Sequence, residues 1–488
     1  MTQRRDFIKK SVLGAAGITI GGMGFSAKSY GSIMGANERF RIGICGVNGR
    51  GKSHINGFDE LDNIELAYLV DPDKKVLEER VNKVKNENTN GKRVKGVADV
   101  RTVLDDKDID AISVATPNHW HSLMVIWAAQ AGKHIFVEKP ASHDIYEGRV
   151  ALAAAQKYGI VVQHGTQRRS SENWAKQVSE IRSGKYGKMT VSHGFACKPR
   201  EGIGFEPYSA PPPELDWNLW KGPAVIDRFH KNLVHYNWHW FWQVGNGELN
   251  NQGTHQLDVA YWALDEEVEN THPKRVMAIG GRFKWGDQGE TPNTMFALAE
   301  FANGQYVFFN VRNVNHEGYV REVTNRFYFE DGGKLWDGEY ISHNGSQPRD
   351  VEVKNVKLTP GGNYGSFVAA CRANDPAMAN GNMYDAHYSC ALGHLMNTSY
   401  RLGEKVPFNA RAGRFGDNAV AYEEFMKIHD IATDGMGIPQ DSTDYIVGPW
   451  LNFDAESEKF VGDYSVEANR LLRDPRRAEF DIPSPDSV

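Results

Sequence analysis

Between residues 39 and 164 five short apolar runs, at 40–45, 64–70, 111–115, 135–137 and 160–163, alternate with longer amphipathic stretches. Each run has room for one strand and each interval for one helix, so successive strands must lie parallel and be joined by helical crossovers. A glycine-rich turn, Gly46-Val47-Asn48-Gly49-Arg50-Gly51, follows the first run. The chain has 488 residues, about three times the ~150 of a typical domain, so further domains must follow.

The turn fits two phosphate-binding patterns. As G-x-G-x-x-G, Gly46 makes the tight turn, Asn48 takes the second glycine position, where it is tolerable if positive φ is required, and Gly51 lets the helix pack closely on the strand. Gly49 and Arg50 complete the loop. Asp71, twenty positions beyond Gly51 at the end of the second run, can bind both ribose hydroxyls of NAD and repel the 2′-phosphate of NADP. As G-x-x-x-x-G-K-[ST], the same turn supplies Gly46, Gly51, Lys52 and Ser53 of an NTPase loop, a complete match on this stretch. The motifs further along favour the dinucleotide.

Composition excludes several partners. Lys+Arg 56 against Asp+Glu 62 gives a net charge of -6, so no large basic surface for nucleic acid is implied. Cys45, Cys197, Cys371 and Cys390 are scattered without a C-x-x-C pair and imply neither a zinc site nor a particular disulfide pairing. At the N-terminus, Arg4-Arg5 precede an apolar stretch over 12–25 that is too short and glycine-rich for a stable span, which reads as a twin-arginine export signal. A signal peptide over 1–36 and a periplasmic or secreted protein, exported folded with its cofactor already in place and without a membrane span, are expected.

After the third run comes Thr116-Pro117-Asn118-His119-Trp120-His121, and after the fourth Glu138-Lys139-Pro140; both stand at C-terminal strand ends, where open α/β sheets bind ligands. With the glycine turn, the segments 165–169, 183–187, 251–258 and 394–403, and Asn469-Arg470-Leu471-Leu472 near Arg476, the chain resembles the Gfo/Idh/MocA oxidoreductases, in particular their exported members. The resemblance implies a Rossmann NAD-binding domain over 37–163 and an α+β substrate and oligomerisation domain over 164–488 with a large, mostly antiparallel open sheet. It also implies that Thr116, Pro117, Asn118, His121, Glu138 and Lys139 face the cofactor.

Lys139 in an E-K-P turn is then the residue that holds the reacting hydroxyl and stabilises the developing alkoxide. The family places Asp and His four residues apart on one helix face; here the positions are Asn251 and His255. His255 is the expected proton acceptor. Asn251 cannot act as a base and is read as a hydrogen-bond partner of a substrate hydroxyl, and Asp258, three residues beyond His255, is read either as its orienting partner or as a structural contact. Arg168 is read as a ligand of substrate or nicotinamide, or as a tie between domains.

Six of the twelve tryptophans fall between Trp217 and Trp262, and Trp238 and Tyr236, with His235 and His239, offer aromatic faces and polar edges to a sugar. The proline-rich stretch 208–220 reads as an ordered insertion walling the cleft. No metal is expected, since His119 and His121 have no third ligand at a usual spacing. Alternating patterns at 274–283, 294–301, 305–312 and 321–330 predict the antiparallel sheet, and 364–373 and 385–402 predict helices. The expected protein is an NAD-dependent oxidoreductase of sugar, glycoside or cyclitol hydroxyls, a homodimer or homotetramer in carbohydrate metabolism. A glycosidase working through a transient 3-keto sugar and a non-catalytic sugar-binding protein are the alternatives.

Overall fold

The computed structural model describes residues 39–488; the expected signal segment and its paired arginines lie outside the described residues. Strands β1 (Phe40–Cys45), β2 (Ile64–Val70), β3 (Lys95–Val97), β4 (Ala111–Val114), β5 (His134–Val137) and β6 (Val162–His164) form one sheet in the order β3-β2-β1-β4-β5-β6. The pairs β1/β4, β2/β3, β4/β5 and β5/β6 are parallel. The strand order reverses direction between β1 and β4, which opens a crevice at their C-terminal ends. Five of these strands stand where the apolar runs predict them. The sixth, β3, is three residues long and mostly exposed, so it carries no burial signal to read.

The second sheet is built around β7 (Met189–Arg200), which pairs parallel with Tyr306–Val314 and antiparallel with Asn325–Phe329. Thr294–Glu300 and Arg275–Gly281 continue it antiparallel. No alternation announces β7, because all but one of its first nine residues are buried, and a strand covered on both faces loses the period of two.

The same covering corrects the expected alternation of apolar and polar residues elsewhere in the sheet. Met295, Ala297, Val307 and Phe309 face a core shared with the helices Gly253–Trp262 and Met383–Arg401. Their neighbours Phe296, Leu298, Phe308, Met277 and Ile279 face a second core closed by Phe425 and Ile428 of the helix Ala419–Asp430. Each such buried ring contributes roughly 2–3 kcal/mol. This stretch of the outer face is therefore covered by the chain itself.

Two later segments return to the first sheet. Phe480, Ile482 and Val488 share a core with Trp120, Leu152 and Ile112. Residues 212–222 lie as a strap across the crevice edge: Lys74 N donates to Glu214 O at 2.9 Å and Asp216 N to Pro72 O at 2.9 Å. Trp120 Nε1 donates to Trp220 O at 3.1 Å. Asp216 caps the short helix Trp217–Lys221 through Leu219 N, and Gly222, with φ +48°, lies so close on the Trp120 ring that a Cβ would enter it.

Candidate active site

A cleft of about 600 Å³ lies at the C-terminal ends of β1, β2, β4 and β5 and is closed from the far side by β7, the strap, Tyr236–His239 and Asn251–His255. At its floor Gly46 has φ +78°, and a Cβ there would stand 2.6 Å from Ala115 O. Only glycine allows that approach. Gly51, at the start of the helix Gly51–Asp59, is pressed against Gly46 O and lies behind the lining rather than in it. Asn48 lines the cleft without positive φ, so the reason expected for asparagine there is corrected. Gly49 and Arg50 line it as well.

Asp71 is buried at the cleft and accepts from Val47 N and Asp73 N, both at 3.0 Å. Burial raises its pKa against those two amides. Thr116, Pro117, Asn118 and His121 line the opposite wall, and the Thr116 hydroxyl is buried with no partner among the described residues. A glycine cradle, a strand-end carboxylate and an unpaired hydroxyl fit a dinucleotide. Lys52 and Ser53, which an NTPase would turn toward the phosphates, are exposed and outside the cleft.

The catalytic candidates are wired through Glu138. Its carboxylate takes Arg50 Nε at 2.7 Å and faces His54 Nε2 at 3.1 Å. Burial would raise its pKa, but His54, Arg50 and Lys139 together hold it well below the usual range. The peptide Lys139-Pro140 is cis. His121 sits between the two loops, Nδ1 2.6 Å from Pro140 O and Nε2 2.9 Å from Thr116 O, so both ring nitrogens already face carbonyls. Asn118 Nδ2 donates to Asn246 Oδ1 at 3.1 Å.

Lys139 Nζ donates to Asn251 O at 2.7 Å and lies 3.4 Å from Asn251 Oδ1. Burial lowers its pKa, Glu138 and Glu248 opposing. His255 lines the same cleft, and its ring makes no hydrogen bond within the described residues. Burial, then the Lys139 charge, holds it well below the ordinary histidine value, so it is a neutral imidazole free to take a proton. The helix carrying Asn251 and His255 is broken at Gln252 into Gly247–Asn251 and Gly253–Trp262, yet both residues reach the cleft.

Asp258 and Arg168, each read from sequence either as a site residue or as a structural contact, make structural contacts here. Asp258 is fully buried and bonds Arg169 Nε at 3.0 Å, with Asp385 on the same guanidinium. Arg169 claims it, so it does not orient His255. Arg168 donates to Asn325 Oδ1 at 2.8 Å and Val323 O at 3.0 Å and lies over the Trp174 ring; it ties the sheet to the segment after β6 and is absent from the cleft lining. Tyr236 and Trp238 do line it, the Tyr236 hydroxyl accepting from Arg200 at 2.8 Å and Trp238 donating to His235 O at 3.1 Å.

Three charged residues were not found from sequence. Lys198 and Arg200, at the end of β7, line the cleft, and Arg200 bonds both oxygens of buried Glu248 at 3.0 Å. Glu248 in turn accepts from Asn251 Nδ2 at 3.3 Å. Reading β7 as a strand would have placed Lys198 and Arg200 two apart on one face at its end.

Residues 40–166 match the oxidoreductase family, NAD-binding Rossmann fold, and residues 220–333 match the GFO/IDH/MocA C-terminal domain. The chain is 31% identical over 281 residues to the uncharacterized oxidoreductase YrbE of Bacillus subtilis (strain 168), covering 58% of this chain and 69% of that one. It is 27% identical over 213 residues to a glycosyl hydrolase family 109 protein of Shewanella baltica (strain OS185), covering 40% of this chain and 45% of that protein. The fold is similar to the crystal structure of the WlbA dehydrogenase from Bordetella pertussis in complex with NADH and UDP-GlcNAcA, with TM-score 0.54 and 18% identity over 74% of this chain and 97% of that one. With its two sheets, its glycine cradle and these matches, the chain belongs to the Gfo/Idh/MocA family of NAD-binding oxidoreductases.

Proposed function

We propose that the protein oxidises or reduces a secondary hydroxyl of a sugar, glycoside or cyclitol, with NAD retained between turnovers. The observation that carries this is the pair formed by Lys139, a cation held at the cleft, and His255, a neutral imidazole whose ring has no hydrogen-bond partner among the described residues, in the same cleft. NAD, when bound, supplies the hydride acceptor or donor. Lys139 Nζ donates to the substrate oxygen and stabilises it as an alkoxide, and a His255 ring nitrogen takes the hydroxyl proton or returns it. Trp238 and Tyr236 offer ring faces to the sugar.

The strap over 212–222 supports retention, since it closes on both Pro72–Lys74 and Trp120 at the crevice edge. The test is an absorbance spectrum of protein purified without added cofactor, followed by addition of sugars and glycosides while 340 nm is monitored. A bound nucleotide that becomes NADH with a particular sugar supports the proposal; protein that neither carries nor binds nucleotide overturns it and favours a binding protein.

A second reading, an NAD-dependent glycosidase with a transient 3-keto sugar, is favoured by the similarity to the glycosyl hydrolase family 109 protein. Product analysis separates the two: a keto sugar for the oxidoreductase, a released aglycone with no net NADH for the hydrolase. For export, the Arg4-Arg5 pair is the tested feature. Replacing both by lysine is expected to leave the protein in the cytoplasm, and unchanged delivery to the periplasm would remove the proposed route. A dimer or tetramer remains our expectation, to be measured by light scattering.

A further inference from the structure

The charges in the substrate half of the cleft do not balance. Arg50 is matched by Glu138 and Arg200 by Glu248. Lys139 is held by the carbonyl of Asn251 and is assigned to the reacting oxygen. Among the described residues Lys198 has no carboxylate within ion-pair distance, and its Nζ meets only Gln252 Oε1, at 3.3 Å. The groups acting on it are Arg200 and Arg321, which repel, and Glu248, already engaged by Arg200. It is half-buried at the cleft wall. A substrate that covers it removes more of its water, and an uncompensated ammonium resists that loss.

A second observation points the same way. Asn251, beside Lys139, stands where the family pattern has Asp, so no carboxylate at that position repels an anionic substrate. One unmatched cation against a missing anion suits a ligand with a single negative charge.

We infer that Lys198 is the anion subsite of this cleft, and that the substrate carries a monoanionic substituent, a carboxylate or a sulfate ester, beside the reacting alcohol. This rests on the proposed function for where the sugar sits. Lys198 Nζ donates to the anion, and Gln252 lies alongside.

The test is titration calorimetry on the holoprotein with methyl glucuronide, methyl glucoside 6-sulfate and uncharged methyl glucoside. One or both anionic ligands are expected to bind about tenfold or more tightly than the neutral one, the magnitude of a charge-assisted hydrogen bond. Which of the two gains more identifies the substituent. The preference is expected to shrink in high salt, to vanish in Lys198→Met and to persist in Lys198→Arg. Equal binding of neutral and anionic ligands, no binding by any, or a preference that survives Lys198→Met overturns the subsite. The comparison in the parent protein and its salt dependence stand even where a variant fails to fold. Anionic sugars that bind without reducing the cofactor support the subsite and count against the redox proposal. Neutral sugars that bind equally and reduce it overturn the subsite alone.

Discussion

Asn251 holds the Lys139 ammonium through its main-chain carbonyl at 2.7 Å, closer than its side-chain oxygen at 3.4 Å. The position of the lysine therefore depends on the helix backbone, while the residue type at 251 sets the charge beside it. Asn251→Asp would place a carboxylate next to Nζ and, at the other end of the amide, against Glu248 at 3.3 Å.

The pH profile follows from that arrangement. Oxidation needs His255 deprotonated and Lys139 protonated. Both pKa values are depressed, His255 by burial and then Lys139, and Lys139 by burial against Glu138 and Glu248. The acid limb of kcat/KM is expected below the ordinary histidine value and the basic limb below the ordinary lysine value. In Asn251→Asp the basic limb is expected to move up, because the added carboxylate favours the ammonium. A basic limb at the same pH in both proteins would count against Lys139 as the titrating group.

Lys139→Met keeps much of the side-chain bulk and removes the donor. Hydride transfer is expected to fall by about 10²–10⁴-fold while nucleotide still co-purifies, measured as single-turnover absorbance at 340 nm. Loss of nucleotide together with activity would instead make Lys139 a cofactor-binding residue.

Gly222→Ala adds a methyl where the strap meets Trp120 at positive φ. The strap is expected to lift, and the rate of cofactor release, followed by exchange against a labelled dinucleotide, is expected to rise. An unchanged release rate in folded protein would separate the strap from retention.

Away from the cleft, Glu458 receives His272 Nε2 at 2.6 Å, His387 Nε2 at 2.8 Å and Arg149. Burial raises its pKa but those donors outweigh it and hold it far below the usual range. The stability it contributes is present above the ordinary glutamate pKa and is lost as pH falls toward the folded value. Glu458→Gln is expected to cost about 2–4 kcal/mol at neutral pH and to flatten the acid side of the stability curve, measured by denaturant unfolding at several pH values.

The nucleotide half was legible because its strands are short, apolar and punctuated by Gly46 and by the loops at 116–121 and 138–140. These are local signals, and local signals survive in a sequence. The substrate half was legible only in part. β7 is covered on both faces, so its pattern hides the strand that delivers Lys198 and Arg200. Asp258 and Arg168 were assigned from spacing along a helix and from nearness to β6. Arg169, Asn325 and Val323, which actually occupy them, come together through tertiary packing that no spacing encodes. Glu248 escaped for the same reason: its meaning depends on Arg200, which arrives from another element.

The strap and the residues 480–488 also bear on how far the nucleotide half is a module. A fragment ending at His164 would leave Trp120 without Trp220 and Phe480, a bare aromatic patch at the rim of its own binding crevice. A graft of this half onto another catalytic partner would have to carry both later segments with it. The unit that can be exchanged or recombined is the interlocked chain, not the run of strands and helices that first identifies it.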